Sequence, residues 1–179
     1  MKLVLKLVLL TLLFILTSCG NDPIFDDSDR AKVTNVSADD NSLILGQATV
    51  VSAKFSFSSD DVFNDNNIVS VVLQIPKELS FRLGTGEIQS RIGKDNEVGA
   101  VITNCPNGEQ YLLFELDDND LSGASNPSGD ADAELTVTVD SNNTSQAAVI
   151  QAFASRDSAF FACDQPFEGE DSEVIRITQ

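Results

Sequence analysis

The chain has 179 residues, 42% of them hydrophobic, which is long and apolar enough for one domain with a buried core. Its 28 acidic residues against 11 basic ones give a formal charge of −17, which repels the phosphate backbone of nucleic acids. The composition therefore argues against global disorder and predicts no nucleic-acid partner.

Residues 1–18 have the layout of a secretory signal peptide. Lys2 and Lys6 give a positively charged start, and the run 7–16 is apolar apart from Thr11. This run is too short to span a bilayer, which takes roughly twenty apolar residues. We therefore expect residues 1–18 to be removed on export.

The tetrapeptide Leu16-Thr17-Ser18-Cys19 resembles a lipobox, the site at which bacterial prolipoproteins are acylated on the cysteine thiol and then cleaved before it. The resemblance implies that Cys19 begins the mature chain and carries fatty acyl chains such as palmitate. Two or more such chains make the attachment to a membrane stable. Gly20, rather than an aspartate, follows the cysteine, and similarity to the enteric sorting rule favours the outer membrane over the inner membrane.

Residues 19–31 are polar and without periodicity, which predicts a lipidated cysteine and a tether that reaches at most about 40 Å. Across 32–179 apolar and polar residues then alternate with period two, the pattern of half-buried strands. Candidate strands lie at 33–37, 51–57, 69–75, 79–83, 98–103, 112–116, 132–139, 148–154 and 173–178. About eight or nine short strands in one domain predict an all-β fold, an antiparallel β-sandwich.

The alternation also predicts which side chains face the core. In the clearest row Leu135 faces inward and Thr136 faces solvent. The phenylalanines within strands, among them Phe114 and Phe153, are interpreted as core residues, and Tyr111 is expected to pack in an apolar strand.

Three segments follow one another in the chain: Phe55-Ser56-Phe57, the strand, proline turn and Leu-aromatic pair of 71–81, and the Thr/Val strand of 133–139. In this order they resemble an immunoglobulin-like repeat of bacterial surface proteins. The likeness spans roughly 45–140 and implies an immunoglobulin-like sandwich with a structural or adhesive role and no catalytic residues. The Asn-Thr-Gly turn typical of the repeat is absent, since 58–61 reads Ser-Ser-Asp-Asp.

If lipid occupies Cys19, an even pair of cysteines remains in an oxidising compartment. Cys105 and Cys163 both lie in loop-like contexts rich in Asn, Asp, Pro or Gly. A disulfide between them is therefore the expectation, with two free thiols as the alternative.

The residue inventory gives little support for catalysis. The chain has no histidine, so serine and cysteine triads are impossible, and we predict that the protein is not an enzyme. Paired carboxylates of the glycosidase kind are the remaining alternative, but proximity in so acidic a sequence carries little information. The chain has no tryptophan and one tyrosine, which argues against a sugar-stacking site.

Calcium is the one ion that the composition could serve, because it prefers oxygen ligands. Asp118, Asp120, Ser122 and Gly123 match the first half of a calcium loop, but the acid of the twelfth position is missing, since Gly129 stands there. The alternative interpretation is a solvated turn. No other cofactor is expected.

Two classes of function remain open. One is a lipid-anchored, non-catalytic interaction module of the bacterial envelope, with the membrane and an envelope protein as partners. The other is a lipoprotein that binds a small molecule, glycan or calcium for another envelope protein. A large lined pocket would favour the second class.

Overall fold

The computed structural model describes residues 31–63, 67–89, 95–122, 129–156, 162–164 and 166–179. The predicted signal peptide, Cys19 and all but the last residue of the predicted tether lie outside these ranges. Within the described ranges no helix has the length and apolarity that crossing a bilayer requires.

The described residues form twelve strands and one five-residue helix. In chain order these are β1 (Lys32–Ala38), β2 (Ser42–Ile44), β3 (Ala48–Ser58), α1 (Ser59–Phe63), β4 (Val69–Ile75), β5 (Leu79–Phe81), β6 (Glu87–Gln89), β7 (Asp95–Glu97), β8 (Val101–Asn104), β9 (Gln110–Leu116), β10 (Asp130–Ser141), β11 (Ser145–Arg156) and β12 (Asp171–Thr178). Every predicted strand is present. The predicted number was too low because it omitted β2, β6 and β7, which have three residues each.

The strands form two six-stranded sheets. The first sheet has the order β1-β3-β10-β6-β7, with β5 also paired to β10, and the second has the order β2-β12-β11-β4-β9-β8. Neighbouring strands are antiparallel except β2 and β12, which run parallel. The predicted antiparallel sandwich is thus confirmed, with one parallel edge pair that the pattern did not indicate.

The core lies between the two sheets and consists of the inward rows of the alternating strands. Leu135 on β10 and Phe114 on β9 are fully buried there, as predicted. Burying rows from two sheets against each other removes apolar surface from water at about 25 cal/mol per Å², which is the main stabilisation of such a fold.

Two predicted orientations were wrong in part. Thr136 is on the outward face of β10 but is only 6% exposed, because β10 lies between β3 and β6 and neighbouring side chains cover it. Phe153 lies outside the core: it pairs with Val72 on the outward face of the second sheet and is only partly buried. A strand pattern assigns a face, but cover from neighbouring strands and loops decides the burial.

The proline turn of the immunoglobulin-like segment carries the chain from one sheet to the other. β4 belongs to the second sheet and β5 to the first. Between them the N–H of Leu79 donates to the carbonyl of Pro76 at 2.9 Å, which closes the turn. The resemblance to a surface-protein repeat therefore coincides with a crossover between the sheets.

Candidate interaction face

A second hydrophobic cluster lies on the outward face of the second sheet, opposite to the core. Val72 on β4 pairs across the ladder with Leu113 on β9, and Leu113 pairs with Val101 on the edge strand β8. These three residues form an apolar row, which a segment of the β11–β12 connection partly covers. The buried members of the cluster are Val72, Cys105 and Tyr111, and Leu113, Cys163 and Phe167 pack against them.

The predicted disulfide holds this cover in place. Cys105 and Cys163 are bonded, with their Cα atoms 5.4 Å apart. Cys105 directly follows β8, and Cys163 lies in the connection between β11 and β12. The bridge therefore joins the end of an edge strand to the segment that lies over the outward face.

Tyr111 is the polar member of the cluster. Its ring is 5.5 Å from the ring of Phe167 at an angle of 63°, an edge-on contact. Its hydroxyl accepts a hydrogen bond from Nε2 of Gln74 at 3.1 Å, and the same nitrogen donates to Glu109 at 3.0 Å. Burial, followed by the charge of Glu109, raises the pKa of Tyr111. Tyr111 is thus a packing residue, as predicted.

The acidic loop after β9 is a hydrogen-bonded turn. Oδ1 of Asp117 accepts from the N–H groups of Asn119 at 2.9 Å and Asp120 at 3.1 Å, and Oδ2 of Asp120 accepts from the N–H of Asp117 at 3.2 Å. The N–H of Asp120 is the main cause that lowers the pKa of Asp117, whereas burial raises the pKa of Asp120. These two carboxylates therefore satisfy backbone donors of the turn.

The predicted calcium ligands lie in the same loop. Oδ1 of Asp118 accepts from the side chain of Asn119 at 3.0 Å, and Ser122 is exposed. Gly123 is outside the described ranges. Among the residues that the structure describes, no group of three or more His, Cys, Asp or Glu side chains has an arrangement that could hold a metal ion. Calcium binding by Asp118, Asp120 and Ser122 stays a prediction.

Two carboxylates that the sequence did not single out connect the sheets at their edge. Oε2 of Glu170 accepts from the N–H of Val33 at 2.6 Å and of Ala154 at 3.2 Å. Oδ2 of Asp171 accepts from the N–H of Val36 at 2.6 Å. Because the partners on β1 are more than 130 residues away in sequence, no local pattern could have indicated these bonds.

No protein-family model matches the chain, and no curated protein matches its sequence. Solved structures are similar in fold. The fimbrial protein FimP from Actinomyces oris matches with a TM-score of 0.52 and 10% identity over 84% of this chain and 36% of its own. The N-terminal domain of the adhesin Sgo0707 from Streptococcus gordonii matches with a TM-score of 0.50 and 16% identity over 72% of this chain and 29% of its own. The chain spans about a third of each and shares with them an immunoglobulin-like sandwich.

Proposed function

We propose that the chain is a lipoprotein of the bacterial envelope, held at the outer membrane by acyl chains on Cys19, whose sandwich is a non-catalytic structural or interaction module. The observation that carries the anchor is the use of the cysteines. The chain has three, and the bond between Cys105 and Cys163 leaves Cys19, at the end of the lipobox, as the remaining thiol. A structural disulfide also fits the oxidising compartments outside the inner membrane.

The module role is supported by how the polar side chains are used. In the part of the chain that the structure describes, several carboxylates accept hydrogen bonds from backbone N–H groups and so stabilise the fold. Among them are those of Asp117, Asp120, Glu170 and Asp171. The sequence contains no histidine to act as a general base. FimP and Sgo0707 are named as a fimbrial protein and an adhesin, and a role in surface contact is proposed here by analogy of fold.

The anchor is tested by detergent-phase partitioning and by separation of inner and outer membranes from cells. We expect the wild-type chain in the detergent phase and in the outer-membrane fraction, with a mass that includes acyl chains. Cys19→Ser should lose the acyl mass and the partitioning. The matched control is Cys105→Ser/Cys163→Ser, which also replaces cysteine by serine but removes only the disulfide, and it should keep the acyl mass and the partitioning. Normal partitioning of Cys19→Ser would contradict the anchor.

The interaction role has a separate test, because anchoring does not depend on it. Crosslinking in cells, followed by mass spectrometry, should recover an envelope protein with the wild-type chain. If the contact requires attachment to the membrane surface, crosslinking of the Cys19→Ser variant, which is released from the membrane, should not recover this partner. Crosslinks to lipid alone, with no protein recovered, would contradict the interaction role but not the proposed lipid anchor.

A further inference from the structure

The edge strands of the two sheets differ in how the backbone groups on their outer side are bonded or protected. An open edge strand offers unpaired N–H and C=O groups to any other strand, so proteins usually protect such edges. On β1 the carboxylates of Glu170 and Asp171 take the N–H groups of Val33 and Val36. The longest edge strand is therefore closed by its own chain.

The edge strand β2 is closed in the same way. The N–H of Ser42 donates to Oδ1 of Asp40 at 2.8 Å, and the N–H of Ile44 donates to Oε1 of Gln47 at 2.8 Å. The edge strand β7 has three residues, and the residues at both of its ends, Asp95 and Glu97, are acidic. Short length and charge are recognised protections for an edge.

β8, with four residues, is also short, but it lacks the other protections. Its sequence, Val-Ile-Thr-Asn, contains no charge and no proline. The N–H of Cys105 donates to the carbonyl of Glu109 at 2.8 Å, in register with the β8–β9 ladder. In an antiparallel pair every second residue of a strand bonds to the neighbouring strand, so the backbone groups of Val101 and Thr103 also face β9. Ile102 and Asn104 therefore direct their backbone groups away from the sheet. None of the hydrogen bonds among the described residues reaches those groups.

The edge is also held in a fixed position and is accessible. The disulfide of Cys105 fixes the C-terminal end of β8, and the side chain of Ile102, on the inner face of the strand, packs against the core. Val101 is 60% exposed and continues the apolar row of Leu113 and Val72 to the rim. A rigid edge loses little conformational entropy when a strand is added to it.

The charges around β8 define the partner. Glu97 precedes the strand in sequence, and on the neighbouring strand the register places Glu109 opposite Cys105 and Glu115 beyond Leu113, the partner of Val101, so an acidic residue stands near each end of β8. We propose that β8 is a docking edge, to which an extended segment of another protein, β-branched and uncharged at its centre and basic at its ends, adds as a seventh strand of the second sheet. This proposal deepens the interaction role proposed above and rests on it.

A second copy of this chain is a poor occupant. The two β8 edges would bring two sets of flanking carboxylates together, and each chain has a formal charge of −17. Like charges that face each other across an interface weaken association.

The test is a binding titration with the full chain purified from cells. The probe is a fluorescein-labelled peptide, acetyl-Lys-Thr-Val-Thr-Val-Thr-Lys-amide, followed by anisotropy. A second peptide of the same sequence carries methyl groups on its central amide nitrogens, which keeps the side chains and removes the donors. We expect the first peptide to bind and the methylated peptide to bind about tenfold more weakly or not at all.

Two variants with the same change of charge locate the site. Val101→Lys places a cation on the edge and should weaken binding of the peptide about tenfold. Val174→Lys makes the same substitution at a 48%-exposed valine on β12 of the same sheet, and it should change binding by less than about twofold. Thermal melts of both variants verify that the fold is kept.

Absence of binding, equal binding of the methylated peptide, or equal loss in the two variants would overturn the proposal. So would a concentration-dependent dimer that Val101→Lys abolishes, because the occupant would then be a second copy. Crosslinking in cells separates this inference from the function on which it rests. If Val101→Lys captures the wild-type partner undiminished, the interaction role stands and its contact lies elsewhere.

Discussion

At the scale of single residues, Glu170 has an unusual position for a charged side chain, because one carboxylate oxygen serves both sheets. Its Oε2 accepts from Val33 on β1 in the first sheet and from Ala154 on β11 in the second. Hydrogen bonds to a charged acceptor are about twice as strong as neutral ones. Glu170 therefore fixes how the edge of one sheet sits on the other.

Replacement of Glu170 by alanine tests this arrangement. Glu170→Ala should lower the free energy of unfolding by about 1–2 kcal/mol, because two backbone donors lose their acceptor. Glu168→Ala is the matched control, since Glu168 is also exposed but accepts no hydrogen bond from a backbone N–H of the described residues, and it should cost less than about 0.5 kcal/mol. Urea denaturation measures both, and equal values would show that the bonds of Glu170 contribute nothing to stability.

At the scale of elements, adjacent residues of one strand differ strongly in burial, because one faces the core and the next faces solvent. Ile175 on β12 is fully buried, and Val174 beside it is 48% exposed. Ile175→Asp would bury an unpaired charge and should cost about 3–5 kcal/mol. Val174→Asp should cost less than about 1 kcal/mol. Similar midpoints of denaturation for the two variants would mean that the register of β12 is different from the one described.

Most strands that the sequence predicted have seven residues or more and show an alternation, and β5 and β8, with three and four residues, are the exceptions. β2 was beyond prediction because its pairing is not local: Leu43 lies beside Ile177, at the other end of the chain. The candidate site was predictable to a similar degree. The cysteine pair and the packing of Tyr111 followed from the sequence, whereas the cover by Phe167 and the open edge at Val101 depend on the order of strands in the sheet.

At the scale of the whole molecule, the disulfide links the end of β8 to the β11–β12 connection, two segments that are not paired in the sheet. Its cysteines are 58 residues apart, and on the chain-entropy model closing such a loop constrains the unfolded state by up to about 4 kcal/mol. Cys105→Ser/Cys163→Ser should therefore unfold at lower urea while keeping the circular dichroism of strands. Cys19→Ser, which leaves the bridge intact, is the control. Unchanged stability of the double variant would show that the bridge adds no constraint.

The N-terminal strand also decides how the domain would respond to pulling. In the lipoprotein proposed above, the tether would enter the sandwich through β1, which is paired with β3 along its length and bonded on its other side by Glu170 and Asp171. Tension directed along β1 must shear these bonds together instead of peeling them one after another. Resistance to force is governed by the rate of unfolding rather than by equilibrium stability, and bonds that break together slow it. A load from flow or contact would then be shared by both sheets from the first strand onward.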